Sequence, residues 1–97
     1  MKVTQLKSTR SGNAVPNQFE ITNGSKIFFQ SYKSMICKID TVKNIVYLDS
    51  YYWDYSRTTI KYLKEFLYSN AYYCNLSTDE IRTKIKTKEI KLTNLNK

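Results

Sequence analysis
From Phe19 the chain alternates apolar and polar positions through Phe19-Glu20-Ile21, meets the strong hairpin signal Asn23-Gly24, and resumes the extended period in Lys26-Ile27-Phe28-Phe29-Gln30. A hairpin is expected here. Its second arm runs on through Ser31-Tyr32-Lys33-Ser34 to Met35-Ile36-Cys37-Lys38-Ile39, keeping Ile27 and Phe29 in phase with Met35, Cys37 and Ile39 as inward positions. So long an arm is expected to bend or bulge near Ser31 to Ser34. Asp40-Thr41-Val42-Lys43-Asn44 is polar enough to turn the chain, and Ile45-Val46-Tyr47-Leu48-Asp49 supplies β-formers for a third strand antiparallel to the second.

The period then changes from two to 3.6. Asp54 or Ser56 can cap a helix that starts near Ser56 or Arg57, with Ile60, Leu63 and Leu67 on one face and Thr59, Tyr62 and Phe66 widening it. Arg57, Lys61, Lys64 and Tyr68 line the opposite face, which offers three cations and a phenol. Ser69 to Asn75 breaks the period and reads as a loop carrying Tyr72 and Tyr73. Ser77-Thr78-Asp79-Glu80 is a capping box that opens a second, short helix, with Leu76 placed to staple onto Ile81. This helix buries Ile81 and Ile85 and shows Arg82, Lys84, Lys86 and Lys88 outside. Ile90-Lys91-Leu92-Thr93 alternates again and predicts a last edge strand. Ahead of all this, residues 1–18 are polar and contain Gly12 and Pro16, so an irregular lead-in is expected.

The pattern sums to an α+β domain: an antiparallel sheet of three to four strands with two helices on one face, in the order β-β-β-α-α-β. Ninety-seven residues suffice for a single domain with one modest core, which places any site on the surface or in a shallow cleft. No apolar run is long enough to cross a membrane and the first residues lack the apolar core of a signal peptide, so a cytoplasmic protein is expected.

Charge narrows the partners. Sixteen Lys and Arg against eight Asp and Glu give +8, which steers a small domain toward polyanions or acidic protein surfaces. Base composition competes with this reading, because Lys, Asn, Ile and Tyr all have A/T-rich codons and are abundant here. Only Arg10, Arg57 and Arg82 among the cations are arginine, which weakens a case for bidentate recognition of bases or phosphates.

Histidine is absent, and Cys37 and Cys74 have neither C-x-x-C spacing nor a neighbouring base, which argues against nucleophilic catalysis, a zinc site and a disulfide framework. Both cysteines read as reduced, buried thiols. Asp49 and Asp54 could hold magnesium in principle, but a strand end and a helix cap explain them more simply. No enzyme, cofactor or metal is therefore expected. Arg10, Ser11 and Gly12 form a weak anion-nest pattern that an ordinary surface turn explains as well.

Tyr51, Tyr52, Trp53 and Tyr55 are the densest aromatic cluster, and flat rings beside Arg57 and Lys61 can either stack exposed bases or anchor a protein interface. In the competing structural reading Tyr51, Trp53 and Tyr55 alternate and close the core, a reading favoured for Trp53. Tyr52, Tyr68, Tyr72 and Tyr73 are the better candidates for exposure. A partner-binding surface of Arg57, Lys61, Lys64, Tyr68, Tyr72, Tyr73, Arg82 and Lys86 follows, set against the alternative that the stripe is only a solvated helix face.

The segments Thr9-Arg10-Ser11-Gly12-Asn13 through Asn17-Gln18-Phe19, Phe29-Gln30-Ser31-Tyr32, Tyr52-Trp53-Asp54-Tyr55-Ser56-Arg57-Thr58-Thr59 and Leu92-Thr93-Asn94-Leu95-Asn96 resemble a family of small uncharacterised bacteriophage proteins. The resemblance spans nearly the whole chain and brings no assigned activity or site residue. It implies a viral origin and a place among small accessory phage proteins that bind and disable a host defence or nucleic-acid machine, CRISPR effectors among them. The expected function is a non-enzymatic inhibitor acting in the cytoplasm of an infected bacterium by occupying the surface of a host protein or ribonucleoprotein. Direct nucleic-acid binding through the basic helix face and tyrosines is the alternative. Nothing in the sequence sets an oligomeric state.

Overall fold
The order of apolar positions resolves, in the computed structural model, into a mixed sheet of six strands with a two-helix crossover; residues 1–7, 12–71, 73 and 76–96 are described. The elements are β1 (Lys2–Lys7), β2 (Ala14–Asn23), β3 (Lys26–Ser31), β4 (Ser34–Asp40), β5 (Ile45–Asp49), α1 (Arg57–Ala71), α2 (Thr78–Lys86) and β6 (Ile90–Thr93). Strands lie in chain order across the sheet, each antiparallel to the last except β6, which is parallel to β5. A parallel neighbour cannot be reached by a hairpin. The chain between β5 and β6 must cross over a face, and α1 and α2 are that crossover.

Three expectations are corrected. The sheet has six strands rather than three or four, and it is mixed rather than antiparallel. Part of the supposed irregular lead-in is the edge strand β1, paired with β2 from Lys2 opposite Thr22 to Lys7 opposite Ala14. The long arm from Lys26 to Ile39 is two strands: Ser31 pairs with Ser34, and Tyr32-Lys33 turns the chain with Tyr32 at φ 57°. A hydrogen bond from the Tyr32 N–H to the Asn17 carbonyl (2.7 Å) helps hold this left-handed conformation, which costs a tyrosine more than a glycine. The irregularity lies just beyond the turn, where Phe29 faces Cys37 but Gln30 faces Met35, leaving Ile36 as the extra residue. A bulge turns two successive side chains to one side, and Ile36 and Cys37 are both buried.

One sheet face and both helices build the core. Phe29, Cys37, Ile39, Val46, Leu48 and Ile90 are buried from the strands, and Leu63, Phe66, Leu67 and Ile81 from the helices. Phe29 and Phe66 stack with ring centroids 5.6 Å apart. The inward face of α1 centres on Thr59, Leu63, Phe66 and Leu67, while Ile60 lies half-buried at its margin. Ser56 is the α1 cap, its Oγ accepting from the Thr59 N–H at 3.1 Å; Asp54 instead meets Arg82 at 3.5 Å.

At α2 the capping box forms in both directions, with the Glu80 N–H donating to Ser77 Oγ and the Ser77 N–H to Glu80 Oε1, each at 3.1 Å. The exchange Ser77→Ala leaves the first turn of α2 short of an acceptor and is expected to cost about 1 kcal/mol. In a domain of this size that lowers the thermal midpoint by about 4–8 °C, readable by circular dichroism.

Candidate functional site
The capped start of α1 fixes which way its outer residues point. Arg57, Lys61 and Lys64 recur at helical spacing, and with Ile60 and Thr78 they line a shallow concavity of about 340 Å³ where α1 meets the start of α2. Its lining combines one apolar side chain and one hydroxyl with three cations. Among the described residues neither Arg57 nor Lys64 has an ion-pair partner, and Lys61 lies 5.1 Å from the Tyr62 ring. Arg57, Lys61 and Lys64 are the cations of α1, Glu65 its single acid. Tyr68, 57% exposed, continues the stripe toward the end of the helix.

The remaining residues of the expected surface have other partners. Arg82 lies 5.4 Å from the Trp53 ring and pairs with Asp54 at 3.5 Å and Asp79 at 3.8 Å, which ties α2 to the turn before α1. Tyr73 is half-buried and donates its hydroxyl to Glu89, whose carboxylate also receives Lys84 at 2.7 Å. Burial, then Glu89, pushes the Tyr73 phenol up to about 12, while Lys84 and Tyr73 hold the Glu89 carboxyl below its ordinary value. These groups lock α2 to the chain beside it. Lys86 is exposed on the outside of α2. Tyr72 and the anion-nest residues Arg10 and Ser11 lie outside the described residues, as does Cys74. Gly12 is exposed at φ 74°, where a side chain would be strained.

Among the aromatic cluster only Trp53 fills the core, as its structural reading expects. Tyr51 and Tyr55 are exposed at 67% and 66%, whereas Tyr52 is half-buried, reversing the expected order. The reason is local: residues 50–55 form a turn, so alternation does not decide which rings face inward. Tyr52 and Tyr55 join Tyr32, Ser31, Ser34, Ile36, Ser56 and Thr59 around a cleft of about 230 Å³ that contains no charged side chain. Sequence reasoning missed this cleft because Tyr32 reaches it only through the unforeseen turn.

Cys37 is fully buried, and desolvation pushes its thiol far up, which leaves it unreactive. Asp49 and Asp54 do not converge on a metal position, since Asp49 accepts backbone N–H groups and Asp54 pairs with Arg82. Among the described residues no three of Cys, Asp and Glu come together where they could hold a metal ion. No helix of the described residues is long and apolar enough to cross a membrane.

Fold and site together define a small α+β domain with a basic concavity on its helical side. The chain belongs to DUF8033, a family of unknown function, whose profile matches residues 1–88. No curated protein and no solved structure matches it.

Proposed function
We propose that this protein is a non-catalytic binding module that occupies an acidic surface of a partner protein with the outer face of α1. The observation that carries the reading is the convergence of Arg57, Lys61 and Lys64 around Ile60 and Thr78 in one concavity, flanked by exposed Tyr68. An apolar side chain among three cations suits a carboxylate-bearing side chain or helix end, with an amphipathic ring beside it as an anchor. The resemblance to small phage proteins puts a bacterial defence or nucleic-acid machine first among partners, in the cytoplasm of an infected host, and the action is inhibition by occupancy.

The test is an affinity capture from bacterial lysate with wild type and the double variant Arg57→Ala, Lys61→Ala, run with and without nuclease at two salt concentrations. A host protein retained after nuclease and high salt, and reduced roughly ten-fold or more by the double variant, is the expected result. Retention of that protein by the double variant sinks the α1 surface as the site. Material that is wholly nuclease-sensitive and salt-labile replaces the protein partner with nucleic acid, because release of phosphate counterions makes such binding fall steeply with salt.

A further inference from the structure
The strand register places one complete row of side chains across the sheet on the face away from the helices. Val3 pairs with Ile21, Ile21 with Phe28, Phe28 with Lys38, Lys38 with Tyr47 and Tyr47 with Lys91. The neighbouring rows, through Phe29, Cys37 and Leu48 and through Ile39, Val46 and Ile90, point the other way into the core. The outward row stays accessible: Val3 and Lys91 are exposed, and the four between them are half-buried. This surface is not part of the α1 concavity.

Its chemistry is selective. Phe28 on β3 and Tyr47 on β5 stand two strands apart, about 10 Å at ordinary strand spacing. Lys38 lies between them with its ammonium 4.7 Å from the Tyr47 ring, and Lys91 follows on β6. The carboxylates that share this face sit at strand ends and are already engaged. Asp40 accepts the Val42 and Lys43 N–H groups and lies 3.9 Å from Lys26, while Asp49 accepts from Tyr51, Tyr52 and Leu95. The row itself therefore carries rings and cations and no anion.

We infer that the open sheet face is a binding platform for single-stranded nucleic acid, with bases stacked on Phe28 and Tyr47 and the phosphate backbone neutralised by Lys38 and Lys91. Rings standing on an open sheet are reached by unstacked bases and not by a closed duplex. Charge selects this occupant over a second copy of the chain, whose own Lys38 and Lys91 would meet these with no carboxylate in the row to receive them. The inference does not rest on the α1 surface.

Fluorescence anisotropy with labelled twelve-nucleotide oligo(dT) and oligo(U), against a duplex of the same length, tests it. Both single strands are expected to bind more tightly than the duplex, and whichever is tighter identifies DNA or RNA as the source. Phe28→Leu and Tyr47→Leu keep apolar volume and each weaken binding roughly five-fold or more, while Tyr47→Phe restores it. The pair Lys38→Gln, Lys91→Gln lowers the slope of log affinity against log salt by about 1.4, and Lys33→Gln in the β3–β4 turn leaves it unchanged. Amide shifts of the wild-type protein on adding the oligonucleotide read the site without any substitution and are expected on β3, β4 and β5. Shifts confined to α1, equal binding of duplex, indifference to both ring exchanges, absence of binding, or self-association through this face would each overturn the assignment.

Discussion

Phe29→Ala is expected to lower stability by about 3–5 kcal/mol, enough to leave a domain of this size near the edge of folding. Phe29 is 0% exposed, stacked on Phe66, and sits opposite Cys37 and Glu20 on the strands either side. Its removal takes away the transfer energy of a whole ring and opens a cavity that rigid neighbours on two strands and a helix close only partly. Urea unfolding followed by Trp53 fluorescence measures the loss. The adjacent Phe28→Ala provides the contrast, since Phe28 is half-buried on the uncovered face and its truncation leaves no enclosed void. A cost of about 1 kcal/mol is expected there. Equal losses at the two positions would show that something covers both faces, and the open platform would then have no basis.

That contrast also shows what the sequence made legible. Two adjacent phenylalanines are alike by composition, and it was the alternating period that assigned Phe29 inward with Ile27, Met35, Cys37 and Ile39; of these Met35 is not part of the core, because the bulge at Ile36 shifts the register and sets it opposite Gln30. The helix at Arg57 and the capping box at Ser77 were equally readable, because each rests on local contacts between residues three or four apart. β1 was not. Lys2-Val3-Thr4-Gln5-Leu6-Lys7 buries little, so its strand depends on pairing with β2 and leaves only a faint hydrophobic signature. The Tyr32 turn was hidden for a different reason, since left-handed conformations are usually announced by glycine or asparagine and here a backbone bond to Asn17 helps stabilise one.

The site was legible to the same depth. Arg57, Lys61 and Lys64 share a concavity because helical spacing put them on one face. Arg82 and Tyr73 were assigned to the same surface on charge and ring content alone, and both have structural partners: Asp54, Asp79 and Trp53 for the first, Glu89 for the second. Side-chain pairing across elements cannot be read from one-dimensional spacing. The row from Val3 to Lys91 belongs to the same class, since it exists only once the register of six strands is set.

Asp49→Ala is expected to cost about 3 kcal/mol or more. Asp49 is 1% exposed at the end of β5. Its Oδ2 accepts the Tyr51 and Tyr52 N–H groups at 3.1 and 2.8 Å, and its Oδ1 accepts the Leu95 N–H at 2.8 Å. One carboxylate thus shapes the turn leading to α1 and ties down the segment after β6. That segment also reaches Met35, with Asn96 both accepting its N–H and donating to its carbonyl. Burial alone would raise the Asp49 carboxyl, but the Tyr52 and Leu95 N–H groups, the Asn96 side chain and the Tyr51 N–H together hold it below its ordinary value. Since the folded pKa is lowered, this stabilisation is complete above the unfolded carboxylate value of about 3.9 and is lost as pH falls through the folded value beneath it. Asp49→Asn separates the two halves of the role. Its single carbonyl oxygen can serve the turn, but the amide then faces the Leu95 N–H with another donor. The expected result is a smaller loss than in Asp49→Ala, faster exchange at the Leu95 amide, and a shallower fall in stability between pH 5 and pH 2. The acid response that remains belongs partly to Asp40, which the Lys43 N–H holds low despite its burial, with the Lys26 charge and the Val42 N–H adding to the effect. Unchanged Leu95 exchange in Asp49→Asn would mean that the terminal segment is held by Asn96 and Met35 alone.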